Sequence, residues 1–218
     1  MTTKFLDRGE AGQRLAQELI AYRDRTDVLI LALPRGGVPV AAQVARILRV
    51  PMDLFMVRKL GLPGQTELAM GAIATGGIRV LNGPVLNAMA VPEAIIESVT
   101  LEEQRELERR ERAYRGDRPL PEVEGKTVIV VDDGVATGST MSAAVAALRQ
   151  LQVARIVVAA PVIALSSFYN LRREADEVAA VVVSEQFYGI GQCYEDFSQT
   201  DDAEVRQLLS EFTIQHRP

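Results

Sequence analysis

Three observations predict an α/β protein built on a parallel sheet flanked by helices. Short runs of consecutive apolar residues, such as Val28-Leu29-Ile30-Leu31-Ala32-Leu33 and Val128-Ile129-Val130-Val131, read as strands buried on both faces. Segments with helical periodicity separate them, the order that produces parallel strands joined by crossover helices. Loops rich in Gly, Asp, Thr and Arg stand where such a run empties into a helix, the edge at which open α/β sheets bind ligands.

Taken in order, the first helix is announced by Asp7 and Glu10, a pair with capping-box character, and carries an apolar stripe of Leu15, Ala16, Leu19 and Ile20. A strand at 28–33 and a helix from Val38 to Leu48 follow, then a second strand from Met52 to Val57. Residues 58–67 carry breakers too dense for helix or strand and read as a mobile loop. Ala69 to Ala74 and Ile78 to Leu81 flank Thr75-Gly76-Gly77, a strand bending into a hairpin.

From Pro92 to Tyr114 five glutamates (Glu97, Glu102, Glu103, Glu106, Glu108) alternate with Arg105, Arg109, Arg110 and Arg112 at three- and four-residue spacing, which reads as a long solvated helix with Pro92 in its first turn. The alternative use of that helix is an oligomer contact, a homodimer in the simplest case, or a lid, with Arg105 or Arg109 reaching a neighbour. A Pro-rich connector, Gly116 to Val123, returns to the core. After it come a strand at 128–131, a helix from Thr140 to Leu151, a strand at 156–160, a helix near 165–175 and a strand at 178–183.

Composition narrows the function. With 218 residues, 48% of them hydrophobic, the chain suits one domain (1–218) with an insertion at about 84–120. No window holds the roughly eighteen uninterrupted apolar residues that a membrane span needs, and the start leads into a capped helix rather than a signal peptide, so a cytoplasmic protein is expected. The single Cys193 and the single His216 leave no Cys/His metal cluster and no Ser-His-Asp triad. A formal net charge of -5 argues against the broad basic footprint of a nucleic-acid binder and favours a nucleotide-sized ligand.

The segment from Thr127 to Thr140 carries the chemistry. A buried strand delivers Asp132-Asp133 and then Gly134-Val135-Ala136-Thr137-Gly138-Ser139-Thr140 to a helix start, where free N–H groups and the helix dipole favour a phosphate. Two acids beside a phosphate cradle would repel it unless they face something else, and a ribose cis-diol donates hydrogen bonds that carboxylates accept. The loop is neither a Walker loop nor a dinucleotide fingerprint. An ordinary strand, turn and acidic helix cap accounts for one Asp and one Gly, not for Asp-Asp followed by Thr-Gly-Ser-Thr.

Val130 to Thr140 closely resembles the phosphoribosyl pyrophosphate (PRPP) motif of type I phosphoribosyltransferases, and with Arg35 to Val38, Arg58 to Gly61 and Asp196 to Thr200 nearly the whole chain outside the charged helix is similar to an uncharacterised bacterial branch of that family. The resemblance implies that Asp132 and Asp133 hold the ribose hydroxyls and that Ala136, Thr137, Gly138, Ser139 and Thr140 hold the 5-phosphate. It implies that Arg35, Gly36 and Gly37, after the first strand, form the pyrophosphate loop, where one peptide is commonly cis; Pro34 lowers the cost of a cis bond at Leu33-Pro34, but the sequence does not say which bond of the loop, if any, is cis. Arg58 and Lys59 become the catalytic cations ahead of a closing loop, with Glu67 a weaker candidate.

A small hood, here 184–218, would recognise the acceptor through Phe187, Tyr188, Tyr194 and Asp196; packing of these aromatics onto the core is the competing reading. The reaction implied is displacement of pyrophosphate from PRPP by a nitrogenous base with inversion, aided by Mg2+ held mainly through the substrate rather than by dedicated protein ligands. Ala136 stands where hypoxanthine-guanine enzymes carry an acid, which turns the expectation toward other bases. A non-catalytic PRPP or nucleotide-binding regulator and a ribose-phosphate hydrolase are the alternatives.

Overall fold

The computed structural model describes residues 4–116 and 118–213, apart from the side chains of Thr66, Glu67 and Thr213. Glu67 as a candidate group and His216 therefore lie outside the described residues. The chain runs through α1 (Arg8–Glu18), β1 (Val28–Ala32), α2 (Gly37–Leu48), β2 (Met52–Leu54), β3 (Val57–Leu62), β4 (Gln65–Ala74) and β5 (Ile78–Leu81). It continues through α3 (Gly83–Ala88), α4 (Glu93–Arg115), β6 (Thr127–Val131), α5 (Ser139–Gln150), β7 (Arg155–Ala164), α6 (Leu165–Glu174), β8 (Glu177–Ser184) and α7 (Asp202–Thr213).

Five strands form one parallel sheet in the order β2-β1-β6-β7-β8, with Ile30 in register with Ile129 and Ile129 with Val157. Strand alternation divides the apolar runs between two cores. Ile30, Ala32, Ile129 and Val131 pack with α1, α2 and α7, whereas Leu29, Leu31, Val128 and Val130 pack with α5 and α6. Each buried Ile, Leu or Val side chain among them contributes about 1.5–3 kcal/mol, so neither face of the sheet tolerates a polar residue, and the runs are apolar throughout.

Asp7 caps α1 by accepting from the Glu10 N–H at 2.8 Å, and the Glu10 carboxylate returns to the Leu6 N–H at 2.5 Å. Leu15, Ala16 and Leu19 are buried as expected, but Ile20 is 44% exposed because α1 ends at Glu18 and a 3-10 turn follows.

The predicted second strand is in fact two. Residues 52–54 pair with β1, and the chain then leaves the parallel sheet at Phe55-Met56. The segment read as a mobile loop is an antiparallel hairpin: β3 pairs with β4, β4 with β5, and Pro63-Gly64 make the tip. Gly64 has φ 81°, the left-handed value that proline followed by glycine supplies at a turn. The hairpin is held because Leu60, Met70 and Ile73 are buried against Ile96 and Leu107 of α4.

Thus α4 is exposed along one side only, and Pro92 is its N-cap rather than part of its first turn. Helix α7 was not anticipated. Asp201 caps it by accepting from the Ala203 and Glu204 N–H groups at 2.8 Å, and Val205, Leu209 and Phe212 bury its inner face. Among the described residues no helix is long and apolar enough to cross a membrane.

Candidate functional site

The loops singled out from sequence gather at the carboxyl ends of β1 and β6, which are adjacent strands. After β1 the chain turns through Pro34-Arg35-Gly36 into α2, and the cis peptide is Pro34-Arg35, not Leu33-Pro34. This turn lies directly on the paired acids. A Cβ on Gly36 would fall 2.0 Å from Asp133 Oδ2, and one on Gly37 2.7 Å from the Val131 carbonyl oxygen and 2.9 Å from Asp132 Cα. The two glycines are therefore required by contact, since Gly36 itself has an ordinary φ of -60°.

The acids differ in their surroundings. Asp133 is buried and held by Arg8, whose Nε and Nη2 both lie 2.8 Å from Asp133 Oδ2. Asp132 accepts the Asp133 N–H at 2.8 Å. Burial, and then the neighbouring Asp133 charge, push the Asp132 carboxyl well above the usual carboxylate range, with the Arg8 charge working in the opposite direction. Tyr194 donates its hydroxyl to the Asp133 carbonyl oxygen at 2.6 Å, and burial raises its phenol pKa.

The loop that follows is fixed against β7 and α6. Val135 N–H donates to Val162 O and Ala164 N–H to Val135 O, both at 2.9 Å, while the Ser167 hydroxyl donates to Ala136 O at 2.5 Å. Gly138, at φ 77°, reverses the chain into α5, leaving Thr137 and Ser139 exposed with their hydroxyl oxygens 3.3 Å apart. The first N–H groups of α5 have no side-chain cap.

This loop stands between two cavities. One, of about 630 Å³, is lined by Ala136, Thr137, Leu165, Glu185, Phe187 and Tyr188. The other, of about 620 Å³, runs between α5 and the hairpin and is lined by Lys59, Gly71, Leu81, Ser139, Ala143 and Arg149.

The structure separates Arg58 from Lys59. As neighbours in a strand they point to opposite faces: Arg58 pairs with Glu103 of α4, and exposed Lys59 lines the cavity it shares with Ser139. Arg35 is also engaged, at 3.5 Å from Asp202, the first residue of α7; Tyr114 donates to the same carboxylate at 2.7 Å and holds its pKa down.

Of the acceptor candidates, Tyr188 is 85% exposed and Phe187 half-buried. Tyr194 is no open platform. Its ring packs between Phe5 and Phe197, with centroids at 5.5 and 5.1 Å, because the chain after β8 folds back to bridge Phe5. Asp196 is exposed and accepts the Ser198 N–H at 2.8 Å, which lowers its pKa. Sequence reasoning missed Arg8, Ser167 and Asp202. No spacing signal links Arg8 to an acid 125 residues away.

A parallel sheet of this strand order with helices on both faces, glycine turn and acid loop side by side at its carboxyl edge, is the type I phosphoribosyltransferase fold. The chain belongs to the phosphoribosyl transferase domain family, whose model matches residues 2–197. It is 41% identical over 205 residues to "Putative phosphoribosyl transferase Rv0571c" of Mycobacterium tuberculosis, covering 94% of this chain and 46% of that protein; the chain thus spans about half the length of the curated relatives it matches.

Among solved structures, TT1426 from Thermus thermophilus superposes with a TM-score of 0.86 at 38% identity, covering 96% of this chain and 99% of that one. A purine phosphoribosyltransferase from Pyrococcus horikoshii shares the fold at 17% identity, with a TM-score of 0.50, covering 92% and 99%.

Proposed function

We propose that the protein transfers the ribose 5-phosphate group of PRPP to a nitrogenous base and releases pyrophosphate. The observation that carries this reading is the seating of the Arg35-Gly36-Gly37 turn on Asp132 and Asp133. A ribose whose hydroxyls donate to the two acids has its pyrophosphate within reach of that turn and its 5-phosphate toward Ala136 to Thr140. The reaction breaks the bond from the anomeric carbon to pyrophosphate oxygen and forms a bond to the acceptor nitrogen. Its oxocarbenium-like transition state calls for alignment and charge stabilisation, not for a protein nucleophile.

In this reading Arg35 and the glycine amides bind pyrophosphate. Lys59, across the α5 groove from the phosphate loop, is the better placed of the two proposed catalytic cations, and Arg58 first has to leave Glu103. Phe187 and Tyr188 border the cavity next to Ala136 and are the acceptor-side residues, with 184–218 as the hood segment and 84–120 as the helical insertion. Among the described residues no cluster of three His, Cys, Asp or Glu side chains could hold a metal ion alone. Mg2+ would instead be held mainly by the pyrophosphate and ribose oxygens of the substrate and by water. Bound there, Mg2+ would neutralise charge on the departing pyrophosphate.

The test is pyrophosphate release from PRPP and Mg2+ with a panel of bases. Release with an aminopurine-like or other nitrogenous heterocycle, ahead of hypoxanthine and guanine, is expected, because exposed Ala136 supplies no general base. Tight PRPP binding with no release from any base would make the protein a regulator, and release without a base would make it a hydrolase.

A further inference from the structure

Arg8 belongs to the first turn of α1, yet its side chain is only 12% exposed and every one of its nitrogens is engaged by groups distant in the chain. Nε and Nη2 converge on Asp133 Oδ2, and Nη1 donates to the Ser198 carbonyl oxygen at 2.6 Å. The guanidinium carbon stands 4.0 Å from the centroid of the Phe197 ring, a cation–π contact that fixes the plane of the fork. Both contacts to Asp133 fall on one oxygen, Oδ2, which also lies against Gly36, so Arg8 anchors the carboxylate where the glycine turn meets it.

We infer that Arg8 is a positioning residue for the sugar-phosphate donor: it orients Asp133 toward the ribose, keeps the adjacent acids tolerable as a pair, and ties the acceptor-side segment at Phe197-Ser198 to the ribose ligand. This inference rests on the reading of Asp132 and Asp133 as ribose ligands. A mere fastener of α1 to the tail would have served equally well by pairing with exposed Asp196, two residues from Ser198. Instead the charge is spent on the buried acid of the loop, beside an Asp132 that feels the Asp133 charge directly. A lysine could supply the charge but neither the second nitrogen on Asp133 nor the flat face on Phe197.

The experiment compares wild type, Arg8→Gln and Arg8→Lys by calorimetry with three probes: PRPP, ribose 5-phosphate and pyrophosphate. Arg8→Gln is expected to weaken both ribose-containing ligands by about tenfold or more, the scale of a lost charge-assisted hydrogen bond, while pyrophosphate affinity stays within about twofold. Arg8→Lys should fall between Gln and wild type, and it carries the same comparison if Arg8→Gln does not fold. Wild-type affinity for ribose 5-phosphate in both variants, or equal weakening of all three probes, would overturn the assignment alone. Failure of the wild type to bind PRPP would overturn the proposed function, and this inference with it.

Discussion

Gly36→Ala tests whether the glycine turn and the paired acids form one site. The backbone at Gly36 is ordinary, with φ -60° and ψ -32°, so any residue could adopt it. The new methyl carbon, however, would lie 2.0 Å from Asp133 Oδ2 and 2.6 Å from its Cγ. Carboxylate and turn must then separate by about 1 Å or more to reach even a tight contact, and dense interiors resist such shifts. Asp133 cannot swing aside freely, since the movement breaks its 2.8 Å contacts with Arg8.

Overpacking of this kind costs about 1–3 kcal/mol, so the melting temperature should fall. If the displaced acid also loses the ribose, PRPP affinity should drop by roughly 5- to 150-fold, the same energy expressed as a ratio. Calorimetry with PRPP and thermal denaturation read the two effects. Gly83→Ala, where a new Cβ meets nothing within 4 Å, is the control and should stay within about 0.5 kcal/mol of wild type. A Gly36→Ala protein that binds PRPP and melts like wild type would refute the argument.

Three further outcomes follow from the geometry. Because Asp132 has a raised folded-state pKa, its stabilising effect is complete below the ordinary carboxylate value of 3.8 and is lost as pH rises through the raised value; Asp132→Asn should therefore raise the melting temperature near neutral pH but not in acid, while weakening PRPP binding. Lys59→Ala should lower turnover with little change in stability, whereas Arg58→Ala, which breaks a partly buried pair with Glu103, should cost about 0.2–1 kcal/mol of stability; equal activity losses without a stability difference would contradict the opposite-face placement. Tyr194→Phe should destabilise by about 1 kcal/mol through loss of the hydrogen bond to Asp133 O, and Tyr188→Ala should leave melting unchanged and raise the acceptor KM, a result that reverses if the two rings exchange roles.

What the sequence determined by itself is what local chemistry dictates. Short uninterrupted apolar runs bounded by turn residues and separated by helical segments read as strands covered on both faces, and Asp132-Asp133 runs straight into a glycine-broken, hydroxyl-rich helix start, so the parallel sheet and the acidic loop at its edge were legible. The sequence carries an α7 signal as well, in the cap residue Asp201 ahead of Val205, Leu209 and Phe212.

Tertiary structure decided the rest, because pairing and contact at long range leave no periodicity in a chain. Residues 58–67 look like breakers in isolation, yet pairing with β4 and burial of Leu60 against α4 make them a hairpin, and strand alternation then sends Arg58 and Lys59 apart. Tyr194 became a support for Asp133 rather than an open ring, because the tail after β8 returns to Phe5. The return of that tail and the position of α1 bring Arg8 to Asp133, and no reading of residues 7–10 alone could have supplied that contact.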